Sequence, residues 1–223
     1  MSARISISRI HFPVTTLGPG RRIGIWLQGC SIRCPGCISA DTWAKGNVTT
    51  SVREILDAIA PWISETEGFT ISGGEPFDQP EALAELLAGI RSISRADVLV
   101  FSGFTLELLV PHLCSMDGLI DALIADPFEQ SEPQTLALRG SDNQRLVFLT
   151  ELGKERFESY ERSTRVSDRT VDVMFDANGD VWFAGIPGRD DFRKLQVLLR
   201  QFGARIAISQ DRGISLGLGE RQG

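Results

Sequence analysis

The chain has 223 residues, 42% of them hydrophobic, which is enough apolar material for one buried core with a small additional module. A mainly disordered protein is therefore excluded. Acidic residues (29) outnumber basic residues (23), and the net charge of -6 argues against a dedicated nucleic-acid-binding protein. The sequence shows neither a signal-peptide pattern nor a run of about 18 apolar residues, so we expect a cytoplasmic protein without a membrane partner.

The first part of the chain alternates predicted strands with predicted helices. Period-two patterns and short apolar runs predict strands at 4–10, 23–27, 69–71, 98–101, 122–124 and 146–149. Apolar residues at helical spacing predict helices over 52–63, over 80–90 and from 105 to about 113. Such alternation is typical of an α/β fold with a parallel sheet covered by helices. A full eight-fold barrel takes about 250 residues, so we predict a partial barrel or an open sheet.

A change of composition after residue 150 predicts a second, smaller module. Residues 151–169 are rich in charged side chains, which is typical of a solvated helix or linker. Asn178-Gly179 between two apolar runs predicts a β-hairpin. The segment 192–202 predicts an amphipathic helix with its apolar face in the core, and 205–208 predicts a strand. We therefore expect a core of residues 1–150 and an α+β C-terminal extension of residues 151–223.

Three of the four cysteines lie within eight consecutive residues: Cys30, Cys34 and Cys37. In a cytosolic protein such a cluster is typical of metal or redox chemistry and not of disulfides. A closed zinc site needs a fourth ligand, and the isolated candidates are Cys114, His11 and His112. A four-iron cluster held by three thiolates leaves one iron open for a substrate. The spacing favours the iron-sulfur cluster, with a structural zinc or electron-transfer site as the alternative.

The cysteine spacing, with three and then two intervening residues, resembles that of the radical S-adenosylmethionine (SAM) superfamily. More narrowly, the chain resembles the small activating enzymes of glycyl-radical enzymes, in particular those of anaerobic ribonucleotide reductase. The similarity covers roughly residues 5–150 and rests on several stretches in one order. These are LGPGR (17–21), GCSIRCPGC (29–37) followed by TW (42–43), SGGEP (72–76), FSGF (101–104), LIADPF (123–128) and LRGSDNQ (138–144).

This resemblance implies a partial (β/α) barrel of the radical SAM type and a 4Fe-4S cluster held by Cys30, Cys34 and Cys37. The open iron would bind the amino and carboxylate groups of SAM. Glycine lets the backbone approach a ligand, and a carboxylate accepts from an ammonium group. The residues implied to contact SAM are Gly36, Ile38, Gly73, Gly74, Glu75 and Asp126. Candidate contacts to a substrate or partner, which a polar surface turn would also explain, are Arg139, Asn143 and Gln144.

The resemblance also implies the reaction. The reduced cluster would transfer an electron to SAM, and the resulting 5′-deoxyadenosyl radical would remove a hydrogen atom from a glycine Cα of a large partner protein. No catalytic residue beyond the cluster and SAM is expected. An external electron donor such as flavodoxin or ferredoxin is implied, together with anaerobic conditions.

Two features depart from the family pattern. The ribonucleotide reductase activases end near LRGSDNQ, whereas this chain continues for about 70 residues. Pro127 follows Asp126, and proline removes a backbone donor at that cofactor-contact position. The extension keeps open a radical SAM enzyme that modifies a peptide side chain or a small molecule. A non-catalytic metal-binding scaffold is the third hypothesis.

Overall fold

The computed structural model describes residues 2–46, 49–175 and 181–202. The strands within these ranges are β1 (Arg4–Ile5), β2 (Ile7–Val14), β3 (Arg22–Leu27), β4 (Thr50–Ser51), β5 (Gly68–Gly73), β6 (Asp97–Phe101), β7 (Ala122–Ala125), β8 (Arg145–Phe148), β9 (Val171–Phe175) and β10 (Val181–Gly185). The helices are α1 (Val52–Ile59), α2 (Pro80–Ile93), α3 (Leu106–Ser115), α4 (Glu151–Phe157) and α5 (Asp191–Gln201). Across the described segments, the helices are too short or too polar to cross a membrane.

The centre of the molecule is a six-stranded sheet in the order β2-β3-β5-β6-β7-β8. Strands β3, β5, β6 and β7 are parallel, and this confirms a mixed α/β fold with a mostly parallel sheet. The edge strands β2 and β8 run antiparallel to their neighbours. The predicted parallel sheet is therefore confirmed in its centre and wrong at its edges. At β8 the reason is that the connection from β7 contains no helix to carry the chain back across the sheet.

Local sequence explains where α1 begins and ends. The Ser51 hydroxyl accepts a hydrogen bond from the Glu54 backbone N–H, and the Glu54 carboxylate accepts from the Ser51 backbone N–H at 2.7 Å. Such a capping box satisfies two of the donors that a helix start leaves free. The helix is shorter than the predicted 52–63, because Pro61 has no N–H to continue it and the chain turns into a 3-10 helix at Ala60–Trp62.

One face of the sheet packs against α1, α2 and α3. Alternate residues of the strands point to this face, such as Ile23 and Ile25 of β3, and they are fully buried. Helix α2 contributes four residues with no exposed surface: Leu83, Leu86, Leu87 and Ile90. Burying one such side chain contributes about 1.5–3 kcal/mol, so this layer supplies the larger part of the core.

The other face of the sheet packs against residues beyond 150. Trp26 forms a buried cluster with Met174 of β9 and Ala184 of β10, and Phe157 of α4 packs on β6 and β7. Asp172 accepts hydrogen bonds from the backbone and hydroxyl groups of Thr15 and Thr16. The predicted hairpin is confirmed by the antiparallel pairing of β9 with β10, although its turn at 176–180 lies outside the described residues.

One expectation for the extension needs correction. The charged stretch 151–169 contains helix α4 and is largely exposed, as predicted, and its Arg156, Glu161 and Arg162 also form ion pairs. Helix α5 forms as predicted, but none of its residues is buried, and its apolar Leu198 is 51% exposed. The predicted strand at 205–208 lies outside the described residues.

A buried ion pair joins the amino ends of the central strands. Arg22, at the start of β3, is fully buried and donates to Asp97 of β6 at 2.5 Å and to Thr70 of β5 at 2.7 Å. Burial lowers the pKa of the Arg22 guanidinium, and Asp97 opposes that shift. Asp97 also accepts from Arg156 at 3.0 Å, so the pair links the sheet to α4. A Cβ at Gly68 would lie 2.2 Å from Arg22 Nη1, so glycine leaves the space that the guanidinium needs.

The Asp97→Asn variant is expected to lose about 3–5 kcal/mol of unfolding free energy, since it leaves the Arg22 charge buried without a counter-charge. Asp57→Asn is the matched control, because Asp57 pairs with Arg53 on the exposed surface of α1. The control should lose about 0.5 kcal/mol or less. Denaturant unfolding measures the loss of unfolding free energy in both variants. Equal losses would contradict the conclusion that the buried pair stabilises the fold more than the exposed pair does.

Candidate metal centre

The cysteine loop follows β3, at the carboxyl ends of the parallel strands, where ligands bind in many α/β proteins. Its start is held by two backbone hydrogen bonds, from Gly29 to the carbonyl of Thr42 at 2.8 Å and from Cys30 to that of Trp43 at 3.2 Å. Ser31 donates its backbone N–H and its hydroxyl to Asp78 at 2.7 and 2.8 Å. Hydrogen bonds therefore fix the position of the backbone on both sides of Cys30, at Gly29 and at Ser31.

The thiols of Cys30, Cys34 and Cys37 are partly buried, unpaired and close enough to interact electrostatically. Burial raises the pKa of all three, that of Cys37 to about 11. Backbone N–H groups point to each sulfur and favour its thiolate form; among them are those of Arg33, Phe128 and Ser39. Such N–H···S contacts tune the potential of iron-sulfur clusters.

One buried side-chain donor beside the cysteines has no acceptor in the described part of the chain. Across residues 2–46, 49–175 and 181–202, the structure has no group of three His, Cys, Asp or Glu side chains placed to hold one metal ion. The indole N–H of Trp43 lowers the pKa of Cys37 and so favours its thiolate form. This N–H is nevertheless buried, and no acceptor among the described residues lies within hydrogen-bond distance of it. Sulfur of a bound cluster is the kind of acceptor that it lacks.

Gly73, at the end of β5, and Gly74 after it lie directly against the end of β3 and the start of the cysteine loop. Gly74 donates to the carbonyl of Leu27 at 2.8 Å, and Glu75 donates to that of Gly29 at 2.8 Å. A Cβ at Gly74 would lie 1.9 Å from the Gly29 oxygen, and one at Gly73 would lie 2.5 Å from the Leu27 oxygen. Gly73 also has a backbone φ of +103°, a conformation that residues other than glycine rarely adopt. The close approach shown by the structure is therefore between two backbone segments, and the predicted approach to SAM stays a prediction.

Glu75 connects the loops after β5 and β6. It is 1% exposed, and its carboxylate accepts from Phe77 N at 3.0 Å, Ser102 Oγ at 2.8 Å and Gly103 N at 2.8 Å. Desolvation raises its pKa to about 7. An ionised carboxylate has about four acceptor positions, and these three donors take three of them. The FSGF stretch contains Ser102 and Gly103, but nothing in the sequence indicated that they bind Glu75.

The remaining predicted contacts lie in the connection from β7 to β8. Asp126, with a φ of +82°, accepts from Arg145 at 2.5 and 2.7 Å. Gln144 donates to the carbonyl of Asp126 at 3.1 Å and accepts from Gly140 N at 2.9 Å, and Asn143 donates to the carbonyl of Pro127 at 2.8 Å. Asn143 and Gln144 thus hold the loop itself. Arg145 stands one residue beyond the LRGSDNQ stretch and was missed.

The same connection covers the second half of the cysteine loop. A Cβ at Gly36, whose φ is +76°, would lie 2.9 Å from the side chain of Gln130, and the neighbouring Ile38 is 37% exposed. Arg189 of the extension donates to the carbonyls of Gln130 and Glu132, and its guanidinium lies 5.9 Å from the Phe128 ring. No sequence pattern marked Arg189, which follows an ordinary Pro-Gly turn. It connects the extension to the loop that covers the cysteines.

The Gly73→Ala variant should lower the iron content and destabilise the protein by about 3 kcal/mol or more, because its Cβ meets the backbone of β3. Gly118→Ala is the matched control. Gly118 also has a positive φ, of +72°, but a Cβ there would meet nothing within 4 Å, so only backbone strain of about 1–2 kcal/mol is expected. Iron analysis and denaturant unfolding check both variants. A full iron content in Gly73→Ala would show that the loop tolerates displacement.

Arg189→Gln is expected to release iron to a chelator about tenfold faster, the usual size of effect for groups that orient metal ligands. The variant frees the carbonyls of residues 130 and 132 and loosens the loop whose Phe128 N–H favours the Cys34 thiolate. Arg193→Gln, on the exposed side of α5, is the control and should match the unsubstituted protein. Equal release rates for the two variants would contradict this role of Arg189.

Comparison with known proteins gives one family match that spans the site. A family model described as a 4Fe-4S single cluster domain matches residues 16–147. The anaerobic ribonucleoside-triphosphate reductase-activating protein of Salmonella typhi is 30% identical over 144 residues, 60% of this chain and 93% of that protein. The pyruvate formate-lyase-activating enzyme of Listeria monocytogenes is 38% identical over 88 residues, 35% of each chain. The solved structure of QueE from Escherichia coli has a TM-score of 0.41 and 21% identity, over 46% of this chain and 54% of that chain.

The matched segment contains the whole candidate site. The cysteine loop, the Gly73-Gly74-Glu75 loop and Asp126 all fall within 16–147, whereas α4, α5 and the β9–β10 hairpin lie beyond it. The match therefore covers the expected cluster ligands and leaves the extension unmatched. The chain belongs to the 4Fe-4S single cluster family and to the family of the anaerobic ribonucleoside-triphosphate reductase-activating proteins.

Proposed function

We propose that this protein is a radical SAM enzyme that activates a partner enzyme by forming a glycyl radical on it. The observation that carries the proposal is the contact between the cysteine loop and the Gly73-Gly74-Glu75 loop. The first loop supplies three thiolates, so one iron of a bound cluster has no cysteine ligand from it. The second loop offers an acceptor for an ammonium group beside it.

The cofactors are a 4Fe-4S cluster and SAM, which together supply a 5′-deoxyadenosyl radical by reductive cleavage. Cys30, Cys34 and Cys37 hold the cluster, and the surrounding N–H groups tune its potential. The remaining acceptor position of Glu75 receives the methionine ammonium, whose positive charge favours the ionised carboxylate. Further SAM contacts are assigned to Gly36, Ile38, Gly73, Gly74 and Asp126. Substrate contacts by Arg139, Asn143 and Gln144 are not needed for this assignment.

We further propose that residues 1–150 form a partial barrel of the radical SAM type and that residues 151–223 form an α+β extension. Helices cover one face of the sheet, and Phe157 and the β9–β10 hairpin pack on the other. Because Phe157 and the hairpin cover the second face of the sheet, the glycine loop of a partner protein cannot approach across that face. It approaches over the carboxyl ends of the strands, beside the cysteine loop. The extension thereby limits the directions from which the partner can reach the cluster.

The proposed partner is an anaerobic ribonucleoside-triphosphate reductase, the enzyme named in the description of the Salmonella typhi relative. An external donor such as flavodoxin or ferredoxin supplies the electron. The protein acts in the cytoplasm under anaerobic conditions. The support for these assignments is the family membership together with the geometry of the cysteine loop.

The decisive experiment combines the reconstituted protein with reductant, SAM and the anaerobic reductase, and records the glycyl doublet by electron paramagnetic resonance. The unsubstituted protein and Cys114→Ala should give the doublet, because Cys114 lies exposed on α3 and outside the cysteine loop. Cys34→Ala should give none, because two thiolates of this loop do not hold the cluster. Iron and sulfide analysis of the same samples reports cluster assembly independently of activity.

Other outcomes would contradict the proposal in distinct ways. Formation of 5′-deoxyadenosine without a glycyl doublet would point to modification of a peptide side chain or a small molecule. Zinc without iron after strictly anaerobic purification, with SAM left intact, would point to a metal-binding scaffold. Four irons per chain in Cys34→Ala would refute the assigned ligands.

A further inference from the structure

A cavity of about 150 Å³ lies between the core and the extension. Its walls come from three segments: the loop after β2, residues 134–139, and residues 160–170 of the extension with Ile186 beyond them. Ser167 and Thr170 at its rim are exposed, so the cavity opens to solvent. It is separate in sequence from the cysteine loop and from the loops after β5 and β6.

Arg139 lines this cavity and is only 3% exposed. Its Nη2 donates to Glu161, whereas its Nε and Nη1 are buried without an acceptor among the described residues. A guanidinium carries five N–H donors, and a buried donor left without an acceptor destabilises the folded state. A ligand with acceptor oxygens in the cavity would remove this penalty.

The other polar groups of the cavity also suit an acceptor ligand. Tyr160, Thr164 and Ser167 line it, and each carries a hydroxyl group that can donate a hydrogen bond. Asp168 is the acidic residue in the lining, and its carboxylate is held by Arg162 and by the backbone N–H of Arg165. Its charge is therefore compensated.

The size and walls of the cavity limit what it can hold. A volume of about 150 Å³ is below the roughly 300–1,000 Å³ of pockets for drug-sized ligands, so a nucleotide is excluded. The lining combines the apolar side chains of Leu136, Leu138 and Ile186 with Arg139 and several hydroxyl-bearing residues. This combination suits a small anion.

We propose that the cavity is a binding site for a small oxyanion, a carboxylate or a phosphate, with Arg139 as its main donor. The lining residues from 160 onwards lie outside the matched family segment 16–147. The site is therefore built jointly by the family core and the extension of this chain. An anion bound there connects the two parts through Arg139 and the hydroxyls of the extension.

The test uses the full chain loaded with its cluster. Sodium phosphate or sodium acetate is added in increasing concentration, and the Tm of thermal unfolding is measured at each concentration. Sodium chloride at equal ionic strength is the reference. A ligand that binds only the folded state raises the Tm in a saturable way. We expect saturation for the unsubstituted protein, at least tenfold weaker binding in Arg139→Gln, and retained binding in Glu161→Gln, which keeps the free donors of Arg139.

A second variant guards against loss of fold in Arg139→Gln. Ser167→Trp fills the exposed rim and leaves Arg139 in place, so it should also lose binding at least tenfold while circular dichroism remains unchanged. Saturation by phosphate alone identifies free phosphate as the ligand type, and saturation by acetate alone identifies a carboxylate; either supports the site. Absence of a saturable shift in the unsubstituted protein would overturn the proposal, and so would binding midpoints in Arg139→Gln and Ser167→Trp that equal the midpoint of the unsubstituted protein.

Discussion

The contact between the backbone of Gly74-Glu75 and the carbonyls of Leu27 and Gly29 determines where the cysteine loop stands. It uses only main-chain atoms, and the distances at Gly74 leave no room for a side chain. Because the thiols take no part in it, they stay available for the cluster. The Glu75 carboxylate extends the same link to Ser102 and Gly103, so the ends of three neighbouring strands support one site.

Much of the fold follows from local sequence, and the exceptions have physical reasons. The central strands were predicted because each is a short apolar run bounded by turn residues. Periodicity reports burial and carries no information on strand direction, so the antiparallel β8 was missed. The charged stretch after residue 150 is largely exposed, as predicted, but its ion pairs, such as that of Arg156 with Asp97, join residues distant in sequence and leave no local pattern. Helix α5 formed, but amphipathic spacing alone did not ensure burial of its apolar face.

The candidate site also contains some features that the sequence predicts and others that only the folded structure shows. The three cysteines are predicted from their spacing, since a cluster needs several ligands on one short loop, whereas the glycine motif is predicted from the family resemblance. The groups that orient them are single residues without a motif. Arg189 reaches the loop at 128–132 from almost 60 residues away, and Asp172 reaches Thr15 across a separation of 157. Such pairs can be identified only from the folded structure. For the same reason, the sequence indicates that Asn143 and Gln144 are polar candidates, but it does not show that they bind the backbone of their own loop.

The packing of the β9–β10 hairpin on Trp26 has a consequence for the order of folding. During synthesis the sheet emerges well before residues 171–185, and until they follow, the face around Trp26 and Leu17 stays in water. Exposed apolar patches of this kind promote association, and contacts of long sequence separation form slowly. The sheet therefore completes this part of its core only after residues 171–185 have been synthesised, and until then its apolar face is available to other chains.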